Sequence, residues 1–373
     1  VSATFTDEQQ ELRSAAARFL DEKSSSEGVR GLIENESGYD EATWKQMAEL
    51  GWLGIAIPEE FGGIGYTFVE LAILLEEMGK RLLSAPFLSS AVFAAQAVIN
   101  AGTDEQKKKL LPMIADGSAR AALAFTEPSG RWDAEGITVQ AVASDEDDYS
   151  LEGSKMYVID GQSATHFIVA ARTSPGPAGI GLFLVDGDQE GVMRKALDTL
   201  DLTRRQSKID FSSAKASKLD GADGSAALSK TLDQAAVAMS AEMVGTAQRC
   251  LDMAVEYANT RIQFGRPIGS FQGVKHKCAD MLTEVELARS AAYYGAWAAT
   301  EEENELPVAA CIAKAWCSDS VIDVAGKNIQ IHGGIGFTWE HDAHLYFRRA
   351  KSQEIYLGDA TYHRALLADR MGF

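Results

Sequence analysis

Two glycine-rich stretches near the C-terminus carry residue types suited to holding phosphates. The first, RIQFGRPIGSFQGVKHKCAD over Arg261–Asp280, joins a basic, aromatic turn to a helical pattern. The second is QIHGGIGF over Gln330–Phe337. Arginine presents a planar fork to phosphate, and glycine lets a backbone come close to a ligand. Taken singly, each is an ordinary turn, with Arg261 ending a helix and Phe264 in a core.

Acidic residues raise a different question. Glu242 lies in the apolar run MSAEMV at 239–244. A glutamate in such surroundings needs a partner or a function, as one half of a helix-surface or interface ion pair or as a desolvated general base. His341 and His344 have helical spacing within WEHDAHLYFRR, but no third ligand accompanies them, so no metal is expected. Arg348 and Arg349 beside them suit a phosphate or an ion pair equally. Cys250, Cys278, Cys311 and Cys317 have no CxxC spacing and sit in apolar helical patterns, which predicts free buried thiols.

Composition narrows the class. The 373 residues are 46% hydrophobic and 24% charged, enough for two or three domains. The net charge of -19 argues against nucleic acid and anionic membranes, although a local basic site can still serve a phosphate-bearing substrate. No apolar stretch approaches the ~20 residues of a membrane span. The opening VSATFTDEQQELRSAAARFL lacks the features of a secretory leader, so a cytoplasmic setting is expected.

Three regions must position these residues. Residues 6–118 read as helices: Thr6 with Gln9 and Thr103 with Gln106 have capping-box spacing, and Leu12, Ala15, Ala16, Phe19 and Leu20 recur at helical period. Gly51 is expected to end the second helix, and Pro58–Gly63 to form a turn. From Ala119 come short β-rich runs (AALAF, YSLEG, MYVID, HFIVAAR, IGLFLV, KIDF), with Ser174–Gly179 a loop, which suggests a small barrel or sandwich. From Gly224 long helical patterns return at Leu228–Arg261 and Phe271–Glu302, which suit a bundle. The expected class is α+β, with domains at 1–118, 119–223 and 224–373.

PEEFGG, AFTEP, KMYVIDG, RIQFGRPIGSFQ, QIHGGIGF and IYLGD occur in an order that, over nearly the whole chain, resembles the acyl-CoA dehydrogenase family. The resemblance implies an N-terminal helical domain, a middle β-domain and a C-terminal helical bundle. It implies FAD, an acyl-CoA substrate desaturated at Cα–Cβ, and electron-transfer flavoprotein as acceptor. In the family the flavin ring lies on one subunit's β-domain, and its ADP end reaches a neighbour's C-terminal helices. The positions that serve that end match Arg261, Phe264, Gln272, Gln330, Gly333 and Gly334 here. Asp233 matches an aspartate near the pantetheine arm, or is simply an exposed acid in the first turn of a helix.

The ring half of the pattern departs from the family. The pattern T-E-P-x-x-G-S-D reads Thr126 to Asp133 with Arg131-Trp132 in place of Gly-Ser. K-M-W-I-T becomes Lys155–Ile159, which lacks the final hydroxyl, and the base in Y-E-G-T becomes Leu357. The alternative base location on the long helix holds Ala235 and Ala236. Glu242 and Asp359 remain as candidate bases, although Asp359 equally suits capping of a helix over Tyr362–Asp369. Three readings follow. The chain is a subunit of a heterotetramer that lends its ADP half-site to a homologous partner, as in actinobacterial steroid side-chain enzymes. It is a self-sufficient homomer using Glu242. Or it is a non-catalytic structural subunit.

Overall fold

The structure is a computed structural model that describes residues 5–35, 37–144, 148–176 and 179–373. The N-terminal region comprises α1 (Asp7–Lys23), α2 (Ser26–Glu34), α3 (Glu41–Glu49), α4 (Phe68–Lys80), α5 (Ala95–Ala101) and α6 (Asp104–Ala115). Thr6 and Thr103 form the expected capping boxes with Gln9 and Gln106. Gly51 follows the third helix, not the second. The difference arises at Ser25, whose side chain accepts from Gly28 N–H and starts α2 as a separate helix.

The strands are β1 (Ala121–Ala124), β2 (Gln140–Ala143), β3 (Asp148–Ile159), β4 (His166–Arg172), β5 (Ile180–Asp186), β6 (Val192–Ala196) and β7 (Gln206–Lys218). Pairing runs β4-β2-β3-β7-β5 and returns from β5 to β4, which closes a small barrel; β1 adds to β4 and β6 to β7. Its interior holds Leu151, Phe167, Val169, Phe183, Val185, Ile209 and Phe211. The runs YSLEG and MYVID belong to one strand, β3, whose register shifts between Lys155 and Val158, where Tyr157 takes φ 58°. Strands β2 and β6 have no counterpart among the β-rich runs, because most of their side chains are solvated and no apolar run marks them. Within the expected loop Ser174–Gly179, Pro177 and Ala178 lie outside the described residues.

The C-terminal bundle contains α7 (Gly224–Thr260), α8 (Gln272–Glu301), α9 (Leu306–His332), α10 (Ala343–Ile355) and α11 (Ala360–Met371), with a hairpin of β8 (Ile262–Gln263) and β9 (Arg266–Pro267) between α7 and α8. Helix α7 crosses α4 in backbone contact. A Cβ on Gly245 would sit 1.8 Å from the Glu76 carbonyl oxygen, and one on Gly79 2.1 Å from that of Glu242. Buried Glu76 gathers Arg13, Lys80, Arg289 and the Tyr293 hydroxyl at this crossing. Three cysteines are buried and Cys278 is half-buried; all four are free thiols.

Candidate flavin and acyl-thioester site

The six residues matched to the ADP end lie at one end of the bundle. Arg261 is the C-cap of α7, Phe264 sits at the hairpin tip with φ 51°, and Gln272 opens α8. Phe264 is 90% exposed, which is costly for an isolated chain and suits a surface that a neighbour covers. Gln330 is on the last turn of α9, where it accepts from Lys277 of α8 at 2.8 Å. The Tyr257 ring of α7 stacks on His332 at 4.4 Å and so joins the ends of α7 and α9. Gly333 turns the chain at φ 64°, ψ −140°, a combination open to glycine, and neither Gly333 nor Gly334 has a heavy atom within 4 Å of where a Cβ would stand. This open, donor-bearing cradle fits a dinucleotide phosphate.

Two cavities meet where the barrel faces the bundle. A cleft of about 470 Å³ is lined by Met156, Tyr157, Leu197, Leu200, Ile355 and Tyr356. A smaller pocket of about 180 Å³ is lined by Leu228, Asp233, Leu357, Tyr362, His363 and Arg370. Among the described residues only Trp132 lines both. Its ring is held by Phe125 at 5.9 Å and by the edge of Tyr356 at 5.1 Å. Arg131 turns outward and pairs with Asp133 and Glu135, so of the Arg131-Trp132 pair only the tryptophan enters.

Ile159 is buried in the core and does not line the cleft. Residue 159 therefore offers a ring no side-chain donor. Thr126 behaves differently: its hydroxyl is buried without a partner. Glu127 beside it accepts from Thr138 and Val139 N–H and pairs with fully buried Lys155 at 2.7 Å. That contact fixes the start of the loop that carries Trp132. Burial lowers the Lys155 ammonium to about 8 despite the carboxylate.

The expectation of Glu242 as base is corrected. Its carboxylate is 2% exposed and engaged by Arg204, by Arg349 at 3.2 Å and by Gln353 at 3.0 Å. Arg349 also reaches Asp201 at 2.7 Å, so the network ties α7 and α10 to the segment before β7. Burial would raise the Glu242 pKa, but the two guanidiniums hold it at about 2. Such a group is ionised yet has no affinity for a proton at working pH, and no access to a substrate. Arg349 is thereby an internal ion-pair partner, not a phosphate contact. Asp359 is likewise corrected: it is exposed and caps α11, accepting from Tyr362 N–H at 2.8 Å. Asp233 is buried instead of exposed and pairs with Arg370 at 2.9 Å; burial pushes it up to about 6 against that pairing.

Two groups, His363 on the pocket wall and Lys314 behind it, belong to no motif of the sequence. His363 donates through Nε2 to the Leu357 carbonyl at 2.9 Å, leaving Nδ1 buried without a partner. Burial, with the Lys314 ammonium nearby, drops its pKa to about 3, so the ring is neutral. Lys314 donates to Ser318 and to the carbonyls of Glu354 and Gly358, and so holds the tail that carries Leu357. Burial brings its own pKa down to about 7. A polar residue within a long apolar helix was the signal for Lys314; nothing local marked His363.

Family models for the N-terminal, middle and C-terminal domains of acyl-CoA dehydrogenases match residues 6–118, 122–212 and 222–372. The chain belongs to the acyl-CoA dehydrogenase family. It is 33% identical to the acyl-CoA dehydrogenase IpdE2 of Mycolicibacterium smegmatis, over 95% of both chains. Among solved structures it resembles a Tcur3481-Tcur3483 steroid ACAD variant (32% identity, TM-score 0.88, 98% of both chains). It also resembles the ChsE4-ChsE5 complex from Mycobacterium tuberculosis (29% identity, TM-score 0.90), covering 100% of this chain and 99% of that one. Butyryl-CoA dehydrogenase from Megasphaera elsdenii aligns over 100% of both chains at 28% identity and TM-score 0.93. As a member of this family the chain is an FAD-binding oxidoreductase of CH–CH bonds in acyl-CoA thioesters. Among the described residues no helix is long and apolar enough to cross a membrane.

Proposed function

We propose that this acyl-CoA dehydrogenase family chain works as one subunit of a heteromer. It lends Arg261, Phe264, Gln272, Gln330, Gly333 and Gly334 to the ADP end of a homologous partner's FAD, and its own β-domain runs no desaturation. The observation that carries this reading is Trp132, which, among the described residues, alone lines both the pocket at Leu357 and the cleft at Tyr157. FAD, when bound, accepts hydride from Cβ of the acyl thioester, which requires acyl carbon and ring to touch. An indole at the wall shared by the two cavities stands between them, and neither acid lining the pocket at Leu357 is free to replace the base lost there. Asp233 is held by Arg370 and would contact the pantetheine arm; the other acid lining that pocket, Asp133, is paired with Arg131.

Similarity to a steroid ACAD and to the ChsE4-ChsE5 complex supports a two-subunit assembly, and supports a steroid-derived acyl-CoA as its substrate class. Electron-transfer flavoprotein is the acceptor this reading implies, and a cytoplasmic setting goes with it. A second reading, a ring seated on this chain's own barrel, is favoured by the unpartnered Thr126 hydroxyl. Flavin absorbance per chain separates the two. A tetramer of two such chains and two partners should hold about two flavins. About four, or full flavin in this chain purified alone, would overturn the proposal.

A further inference from the structure

A third cavity lies away from the flavin and thioester site, where the N-terminal helices meet the barrel. It measures about 730 Å³, and its lining includes Tyr39, Arg120, Asp188, Arg194 and Arg205. The three arginines converge on the turn between β3 and β4. Arg120 Nε donates to the Ser163 carbonyl at 3.0 Å, Arg194 Nη1 to that of Gln162 at 3.3 Å, and the Arg205 carbonyl accepts from Asp160 N–H at 2.9 Å.

Two glycines seat the arginine side chains. A Cβ on Gly38, where φ is +71°, would lie 2.7 Å from Arg205 Cγ, and one on Gly187 2.4 Å from Arg194 Nη2. The guanidiniums are not saturated. Arg205 uses Nη2 for the carbonyls of Ile33 and Asn35 at 2.7 Å and its Nε is enclosed, while its Nη1 donates no hydrogen bond among the described residues. Neither Nη of Arg120 donates a hydrogen bond among the described residues; Glu41 stands 3.9 Å away with a largely exposed side chain.

Three cations therefore face one lining carboxylate, Asp188, which is bound to Arg194 at 2.8 Å. In a chain of net charge -19 such a local excess runs against the general field. The cavity lined by Lys80, Arg81 and Arg249 lacks this excess, because Asp21, Asp252 and Asp342 line it too. Hydroxyls on the wall add no donors: Ser37 is committed to the Tyr39 carbonyl, Ser163 to that of Asp160 and Thr165 to that of Arg120. What the pocket offers is guanidinium forks, which match phosphate oxygens.

We infer that this cavity binds a phosphate-bearing small molecule, with Arg120 and Arg205 as its principal contacts. The test is calorimetric titration of the intact flavin-loaded assembly at low ionic strength, with inorganic pyrophosphate as probe and ADP and CoA as further arms. Pyrophosphate should bind, and Arg120→Gln should weaken it at least tenfold. Arg364→Gln, which removes an exposed charge elsewhere, should leave it unchanged. Arg205→Lys keeps the charge and guards against misfolding of the loop after α2; it should bind more weakly than wild type while its flavin content stays normal. Tighter binding of ADP or CoA than of pyrophosphate supports a nucleotide phosphate; equal or weaker binding supports a free one. Absence of pyrophosphate binding, or equal weakening by Arg120→Gln and Arg364→Gln, would overturn the site. So would pyrophosphate binding by this chain purified alone that is absent from the assembly, which would mark the patch as a seat for a partner subunit's acidic side chains.

Discussion

Glu242 and Trp132 show how single side chains decide what the site can do. Glu242 is ionised at neutral pH because Arg204 and Arg349 outweigh its burial. Its folded pKa of about 2 lies below the ordinary 4.5, so its contribution to stability is complete above about 4.5 and is lost as the pH falls toward 2. Glu242→Gln strands two buried guanidiniums and should cost about 3 kcal/mol at pH 7. The gap between wild type and variant should narrow between pH 4.5 and 2; a gap independent of pH in chemical denaturation would mean that packing, not charge, is responsible. At Trp132, replacement by Ser should join the two cavities and lower stability by about 2 kcal/mol, the burial worth of a large side chain. A crystal structure of Trp132→Ser with the cavities still separate would show that other groups make the partition.

Two elements carry the residues proposed for the ADP end: the hairpin between α7 and α8, and the glycine turn after α9. Arg261→Ala should weaken flavin retention of the assembly by about 1.5–3 kcal/mol, the worth of charge-assisted bonds to a phosphate. Unchanged flavin after dialysis would make Arg261 a helix cap and nothing more. Gly333→Ala forces a side chain into φ 64°, ψ −140° and should cost about 1–3 kcal/mol. Because the turn follows α9 and not the barrel, melting of the C-terminal bundle should shift while hydrogen exchange in β3–β7 stays constant. Equal loss of protection in both regions would mean that barrel and bundle unfold as one unit.

For the whole molecule, the distribution of exposed apolar side chains argues for assembly. Phe264, Ile335 and Phe337 stand in solvent around the end of the bundle that carries the ADP-end residues. Covering them, and completing the dinucleotide site proposed above from two chains, would give one surface two reasons to be an interface. Sedimentation of the purified protein should show no monomer at flavin-saturating concentration. A monomer that retains its flavin would contradict the division of labour proposed above.

The sequence by itself determined the order helices, strands, helices, the capping boxes at Thr6 and Thr103, the long helices of the bundle and the family. These rest on short-range signals, namely apolar period, cap spacing and ordered motifs, which survive whatever the chain packs against. It also showed Leu357 where the family pattern has Glu, because a departure within a motif is visible letter by letter. Tertiary structure alone decided the rest. Glu242 and Arg349 are 107 residues apart, and no local pattern announces their pairing. Arg131 and Trp132 are neighbours, yet one turns to solvent and the other divides two cavities, because Asp133 and Glu135 hold the guanidinium while Phe125 and Tyr356 leave space for an indole. The arginine cavity joins residues from α2's trailing loop, β1's approach and the ends of β6 and β7, and only the closed barrel brings them together. Charge, burial and cavity shape depend on which distant elements meet, and that is settled by packing of the whole chain.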